Sequence, residues 1–502
     1  MEYISTRGEA KVPGSIQAIL AGLAADGGLF IPRDFPEGVL GQNLAWKDLN
    51  YVDLAAGILS LFLTDFTMEE LKEVVGTVYT EERFASPRIT PVKTLQSGLG
   101  FLELWHGPTC AFKDLALQLL PHLLVKAARK NGDQREIILL VATSGDTGKA
   151  ALEGFKDLPG TRVIVFYPVQ GVSTMQERQM RTQEGENTMV IGVEGNFDQA
   201  QTGVKAIFSQ QELGKKMAQA GMGFSSANSI NWGRLIPQVV YYVWAYLSWV
   251  KEGRLQAGEE FNVVVPTGNF GNILAAYYGK RLGLPIRKLI CASNMNNVLT
   301  EFFRTGVYNR KREFHQTISP SMDILISSNL ERLLFELVQR DAERVKALMS
   351  ELQETGVYRL PSDLVQELGR NFWGGYATEA ETRQAMAEAF AEHHYVIDPH
   401  TAVGYKVYQD YIAQTGDKTP TVIASTASPY KFPSSVAQAV MGKEQVTGEG
   451  ELALLQEISQ FTGTPIPEPL RDLGAKPVRH HKVVPVQDME GTVQEILFSH
   501  RL

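Results

Sequence analysis

What most constrains this chain is an alternation. From about residue 100, short apolar runs take turns with segments of helical periodicity. The runs are "FLELWH", "EIILLVAT", "TRVIVFYP", "TMVIGVEG", "FNVVVPTG", "IRKLICAS" and, near the end, "PTVIAST". None offers a polar face, so a strand built from any of them must be covered on both sides. Strand–helix alternation then implies parallel sheets with right-handed crossovers. There are enough runs for two such sheets. The expected fold class is α/β, two parallel-sheet sandwich domains with an added, mainly helical N-terminal segment.

The expected boundaries follow from where the pattern changes. Residues 1–92 form the helical segment, in which "SIQAILAGLAADGGLFIP" is an amphipathic helix stopped by Gly27 and Gly28. Residues 93–255 form the smaller α/β domain. Residues 256–502 form the larger one, with a helical insertion at about 329–415 and a C-terminal tail of one strand and one helix.

Composition excludes several classes. The net charge is −8 and no basic stripe appears, so neither nucleic acid nor an anionic membrane is a fitting partner. Two cysteines, Cys110 and Cys291, cannot make a disulfide framework and suit a reducing compartment. The start, "MEYISTRGEAKVPG", has no apolar core of a signal peptide. "LIPQVVYYVWAYLSWV" is too short to span a bilayer and contains Pro237 and Gln238, so it is expected as a buried core helix. These features together predict a cytoplasmic protein.

Two turns carry chemistry. "LLVATSGDTGKAALEGF" and "VVVPTGNFGNILAAYYG" are each a buried strand, a polar glycine-rich turn and a helix. Ligands of open α/β sheets bind beyond the carboxyl ends of strands, where a helix N-terminus offers free N–H groups. A tight turn capped by Asp146 or Asn269 explains each one singly. Two in one chain point to a ligand with two anionic ends. Neither turn has the spacing of a P-loop or of a dinucleotide fingerprint.

Lys113 adds a third element. It opens an apolar-faced helix in "HGPTCAFKDLALQLLPHLL", just after a short strand. A lysine there either snorkels to solvent or loses hydration, so that its pKa falls. The second alternative suits an amine that attacks a carbonyl. Pyridoxal phosphate (PLP) supplies both an aldehyde for such a lysine and a phosphate for a glycine turn. Ser425 and Thr426 end the last buried strand; a hydroxyl there bonds a neutral pyridine nitrogen or serves as an ordinary cap. The paired histidines at 393–394 and 480–481 lack companions at metal-ligand spacing, so no metal is expected. His400 precedes a helix in "DPHTAVGY", and Cys110 is expected as a packing residue.

These motifs, with "ILAGLAADGGLFIP", "SSANSINWGRL" and "SPSMDI" in the same order, resemble the threonine synthase family of the longer bacterial and fungal type. The resemblance covers most of the chain. It implies the tryptophan-synthase-β-like architecture, fold type II of the PLP enzymes. It implies elimination of phosphate from O-phospho-L-homoserine followed by addition of water to give L-threonine, in a monomer or small homo-oligomer. Lys113 would bond the cofactor and move protons. Gly268, Asn269, Phe270, Gly271 and Asn272 would cradle its phosphate, and Thr426 would face its ring nitrogen. Ser144, Asp146 and Thr147 would line the cofactor and the substrate carboxylate. Lys149 and Arg234 are the candidates for the substrate phosphate. Ser428 stands where many relatives carry histidine. Two alternatives stay open: another fold type II lyase, such as a threonine or serine dehydratase, and a non-catalytic amino-acid or phosphate binder. The N-terminal segment and "SANSIN" weigh against the first, and an intact Lys113 against the second.

Overall fold

In the computed structural model the apolar runs sort into two sheets, as covering both faces requires. The structure describes residues 1–41, 46–95, 98–143, 145–444 and 450–499. The smaller sheet has five parallel strands in the order Val483–Pro485, Thr188–Glu194, Thr161–Pro168, Glu136–Ala142 and Met222–Ser225. The larger has six, in the order Phe372–Tyr376, Ile286–Ser293, Phe261–Pro266, Thr421–Ser425, Leu99–Glu103 and Val92–Thr94. All of its pairings are parallel except the last.

Sheet membership departs from the expected boundaries in three places. Val92–Thr94 and Leu99–Glu103 lie in the larger sheet although they precede Lys113. Val483–Pro485 of the tail closes one edge of the smaller sheet. The stretch expected as a helical insertion contributes an edge strand, Phe372–Tyr376, to the larger sheet. That strand reads FWGGY, and two adjacent glycines hide its β character.

The N-terminal segment is helical but also carries a small antiparallel sheet of Tyr3–Ser5, Lys11–Val12 and Phe30–Pro32. Strands of two or three residues are too short to show a period of two. Its first helix, Ser15–Ala21, ends at Gly22 rather than at Gly27. Gly22 takes φ 67° and returns its N–H to the Ala18 carbonyl. The apolar stretch after Leu235 is the expected core helix, Pro237–Lys251. Among the described residues no helix is long and apolar enough to cross a membrane.

The larger sheet positions the site. Three adjacent strands, Phe261–Pro266, Thr421–Ser425 and Leu99–Glu103, release their carboxyl ends on one side. From there the chain enters the 268–272 turn, residues 426–428 and the Lys113 segment. Glu136–Ala142 of the smaller sheet delivers the Asp146 turn. The helix Asp146–Phe155 then packs against Asp114–Leu117 so tightly that a Cβ on Gly154 would lie 1.9 Å from the Leu117 carbonyl oxygen.

Candidate active site

The helix expected to run on from Phe112 is broken in two. Lys113 is the N-cap of Asp114–Leu117, and a second helix, Leu120–Lys130, follows. Pro121 has no N–H to give to Leu117, so the helical ladder cannot run through. Lys113 is thereby held at the very start of a short helix. Its side chain is 12% exposed.

Backbone bonds carry this segment to the end of strand Thr421–Ser425. The Phe112 N–H donates to the Thr426 carbonyl at 2.8 Å, and Ser428 N–H to the Cys110 carbonyl at 3.0 Å. Ala111 and Ala427 form an antiparallel bridge between them. Lys113 and Thr426, far apart in sequence, are thus neighbours. The loop entering the helix is locked by Asp114, which accepts from Thr109 N–H at 2.8 Å and Thr109 Oγ1 at 2.7 Å. Cys110 sits here in a left-handed conformation, φ 59°. Burial pushes its thiol up to about 12, so it is an inert packing group.

Around the Lys113 amine the polar groups are few and close. Ser321 Oγ is 3.1 Å away and Asp146 Oδ2 is 3.6 Å away. Ser321 Oγ in turn donates to Asp146 Oδ2 at 3.1 Å. The other carboxylate oxygen of Asp146 receives Lys431 Nζ at 2.8 Å and Gln176 Nε2 at 3.0 Å. Lys431 also donates to the Thr109 carbonyl at 2.8 Å. Burial pulls the Lys113 pKa down; Asp146 opposes this, while Lys431 and Arg234 add to it. Burial alone would push the Asp146 carboxyl up, but the charges of Lys431 and Lys113 outweigh it and hold the group well below the usual range. The result is an amine drawn toward its neutral form beside a carboxylate held ionised.

Asp146 does not cap its helix. The N-cap is Gly145, and the Thr143 hydroxyl closes that end, accepting the Gly145 N–H at 3.0 Å and the Gly148 N–H at 2.9 Å. Thr147 follows, half-buried. Ser144 lies outside the described residues. Asn269 is not a cap either: Phe270 is, with φ 66° and no capping side chain, so the first N–H groups of helix Gly271–Leu282 stay free for an anion.

The 268–272 turn meets Lys113 through Ser321. A Cβ on Gly268 would lie 2.6 Å from the Ser321 carbonyl oxygen. The turn is pinned by Ser327 Oγ on the Gly268 carbonyl at 2.8 Å and by the Asn329 N–H on the Asn269 carbonyl at 3.1 Å. Asn272 accepts from Tyr241 at 2.7 Å and Tyr242 at 2.5 Å, and its buried Nδ2 has no partner. Arg234 donates to the Ala227 carbonyl at 2.7 Å, while its buried Nε has none. The orphaned Asn272 donor, at the uncapped start of helix Gly271–Leu282, fits a bound anion, and the unpaired Arg234 Nε is left for a second one. The desolvated Lys113 amine fits an aldehyde on the ligand that the turn holds.

Lys149 is the exception among the expected residues. Its ammonium is 3.0 Å from Glu153 and is also bonded to Gln183, so its charge is already matched inside the protein. That arrangement does not favour it as a phosphate contact. Lys431, Ser321 and the buried pair Asp398–His400 belong to the site, yet the sequence assigned them no role. The one available hint for Lys431 was a lysine inside the otherwise uncharged run "TASPYKF".

A profile of the threonine synthase N terminus matches residues 2–79, one of pyridoxal-phosphate-dependent enzymes matches 87–426, and one of the threonine synthase C-terminal region matches 401–496. Human threonine synthase-like 1 is 42% identical over 476 residues, which cover 90% of this chain and 63% of the relative. The chain therefore spans less than two thirds of that relative's length. Threonine synthase of Schizosaccharomyces pombe is 39% identical over 469 residues, covering 88% of this chain and 89% of the yeast protein. A crystal structure of PLP-bound threonine synthase from Brucella melitensis superposes with a TM-score of 0.87 at 35% identity, over 99% of this chain and 98% of that one.

Proposed function

The chain belongs to the threonine synthase family, and from that membership we propose that it is a PLP-dependent lyase converting O-phospho-L-homoserine and water to L-threonine and phosphate. The observation that carries the proposal is the Lys113 amine. It is desolvated, 3.6 Å from an ionised Asp146, and adjoins both the Gly268 turn and Thr426.

In this reading the backbone of Gly268, Asn269, Phe270, Gly271 and Asn272 holds the cofactor phosphate. Asp146 and Thr426 would face its ring, and Lys113 would bond it. When bound, PLP supplies the aldehyde carbon for the lysine and a ring that delocalises negative charge from the substrate carbons. The chain's own residues do the rest. Displaced by the substrate amine, Lys113 is a free base that moves protons at Cα and then at Cβ. Asp146 stays ionised throughout, because Lys431 holds its charge. Ser144 and Thr147 take the substrate carboxylate, and Arg234 neutralises the leaving phosphate. We also propose that the enzyme works in the cytoplasm as a monomer or small homo-oligomer. The segments 1–92, 93–255 and 256–502 then act as its units, with the strand exchanges noted above.

The test is direct. Purified protein is given O-phospho-L-homoserine, with and without PLP, and phosphate and threonine are measured. Equal amounts of both, dependent on PLP, support the proposal. Formation of 2-oxobutanoate from threonine, with no threonine made from the phosphate ester, would assign a dehydratase instead.

A further inference from the structure

Ser321 lies in the short turn Pro320–Met322 and touches the reacting lysine directly, Oγ to Nζ at 3.1 Å. The direction of each hydrogen bond around it is fixed from two ends. At one end is Asp146. Held ionised, it can only accept. The Ser321 hydroxyl proton is therefore committed to Asp146 Oδ2, at 3.1 Å. Only lone pairs of Ser321 Oγ remain for Lys113, so Lys113 must be the donor.

At the other end is Asp398, fully buried, whose Oδ1 lies 2.7 Å from His400 Nδ1. A carboxylate there places the ring proton on Nδ1 and leaves Nε2 bare. Nε2 accepts the Ser321 backbone N–H at 3.1 Å. A proton on Nε2 would break that bond. The Ser321 carbonyl, for its part, is walled by Gly268. Ser321 is thus held at both its N–H and its hydroxyl, a degree of restraint that filling space does not need.

We propose that Ser321 is a positioning residue for proton transfer by Lys113: it accepts one N–H of the amine and so directs the nitrogen's lone pair away from itself and Asp146, while Asp398 and His400 hold Ser321 in register. The proposal rests on the reading of Lys113 as the proton-moving base and deepens it.

The test uses the full-length, PLP-loaded enzyme and three variants, Ser321→Ala, Ser321→Thr and Ser321→Cys. Steady-state kinetics with O-phospho-L-homoserine are paired with a pH titration of the visible absorbance of the loaded protein. Loss of the bond to the amine should lower kcat of the alanine variant about tenfold, with KM within about twofold of wild type. The absorbance midpoint should fall, because the lost acceptor favoured the protonated nitrogen. Threonine keeps the hydroxyl and should restore both. Cysteine, close to serine in size but a weak acceptor, should behave like alanine; it decides the matter if the alanine variant does not fold. A kcat within twofold of wild type, an unmoved midpoint, or a threonine variant no better than alanine would overturn the proposal. Wild-type protein that makes no threonine would instead overturn the proposed reaction. The absorbance titration would still report on Ser321 in that case.

Discussion

Lys431 places its ammonium 2.8 Å from Asp146, and neither side chain is open to solvent, at 0% and 3% exposure. This pair sets the electrostatics of the site. Lys113, at 3.6 Å, is only the second cation of Asp146. Because Lys431 already matches the carboxylate, burial can draw Lys113 toward the neutral amine that carbonyl attack needs. Without Lys431, Asp146 would oppose that effect of burial more strongly and favour the ammonium more than it does now.

Replacing Lys431 by methionine should therefore do two things. It leaves a buried carboxylate short of its main partner, at a cost of about 3–5 kcal/mol in unfolding free energy. It also makes Lys113 the chief counterion, so turnover should require a higher pH. Adding Asp146→Asn removes the stranded charge and should recover much of the stability but not the activity. Denaturant unfolding of both variants checks the first part and a pH–rate profile the second. A loss below about 1 kcal/mol in the single variant would mean the pair is not the anchor described.

Asp114 gives a pH signature of its own. Burial pushes its carboxyl up to about 6, against the lowering effect of the Thr109 bonds. The folded value is thus raised above the unfolded one, near 3.9. Its stabilising contribution is fully present below about pH 4 and is lost as the pH rises through about 6. Two units correspond to about 3 kcal/mol. The stability of wild type relative to Asp114→Asn should fall by about that amount between pH 4 and pH 7. Urea melts of both proteins across this range provide the measurement, and a flat or rising difference would count against the assignment.

Gly154 should reverse the usual rule for helical glycines. Alanine in a helix interior is normally better than glycine by about 1 kcal/mol. Here the new methyl would meet a backbone oxygen, that of Leu117, at 1.9 Å. The two helices that carry Asp146 and Lys113 would have to part. Gly154→Ala should cost about 1–3 kcal/mol and lower turnover as well. Gly369 lies near the end of helix Ser362–Asn371 with nothing within 4 Å of its Cβ direction, so Gly369→Ala should be neutral or stabilising. Thermal melts of the two variants should move in opposite directions.

The contrast between these residues shows what could be read in advance. Strands such as Thr161–Pro168 and Phe261–Pro266 are legible because burial on both faces writes an unbroken apolar run. The Gly268 turn and Lys113 are legible because strand ends and glycines mark ligand contacts locally. Met222–Ser225 and Phe372–Tyr376 are not, since each is short and contains glycine. Lys431 and Ser321 are hidden for a different reason. They join Lys113 and Asp146 only when two sheets bring residues 113, 146, 321 and 431 together, and no local period records that meeting. The alternative of plain turns capped by Asp146 and Asn269 is not what forms: Gly145 and Phe270 take the N-cap positions.

The two cations proposed for the substrate phosphate now separate. Arg234 is buried, its pKa pulled down to about 10 by desolvation, and its Nε is unpaired among the described residues. Lys149 is equally buried, but Glu153 and Gln183 already satisfy it. A phosphate gains a charge-assisted donor from the first at no internal cost; from the second it must break an ion pair. Arg234→Gln should then raise KM for O-phospho-L-homoserine about tenfold or more and weaken inhibition by inorganic phosphate in parallel. Lys149→Met should lower stability, since it strands Glu153, while KM stays within about twofold of wild type. Initial-rate kinetics with phosphate as the inhibitor distinguish the two, and the reverse ranking would transfer the phosphate contact from Arg234 to Lys149.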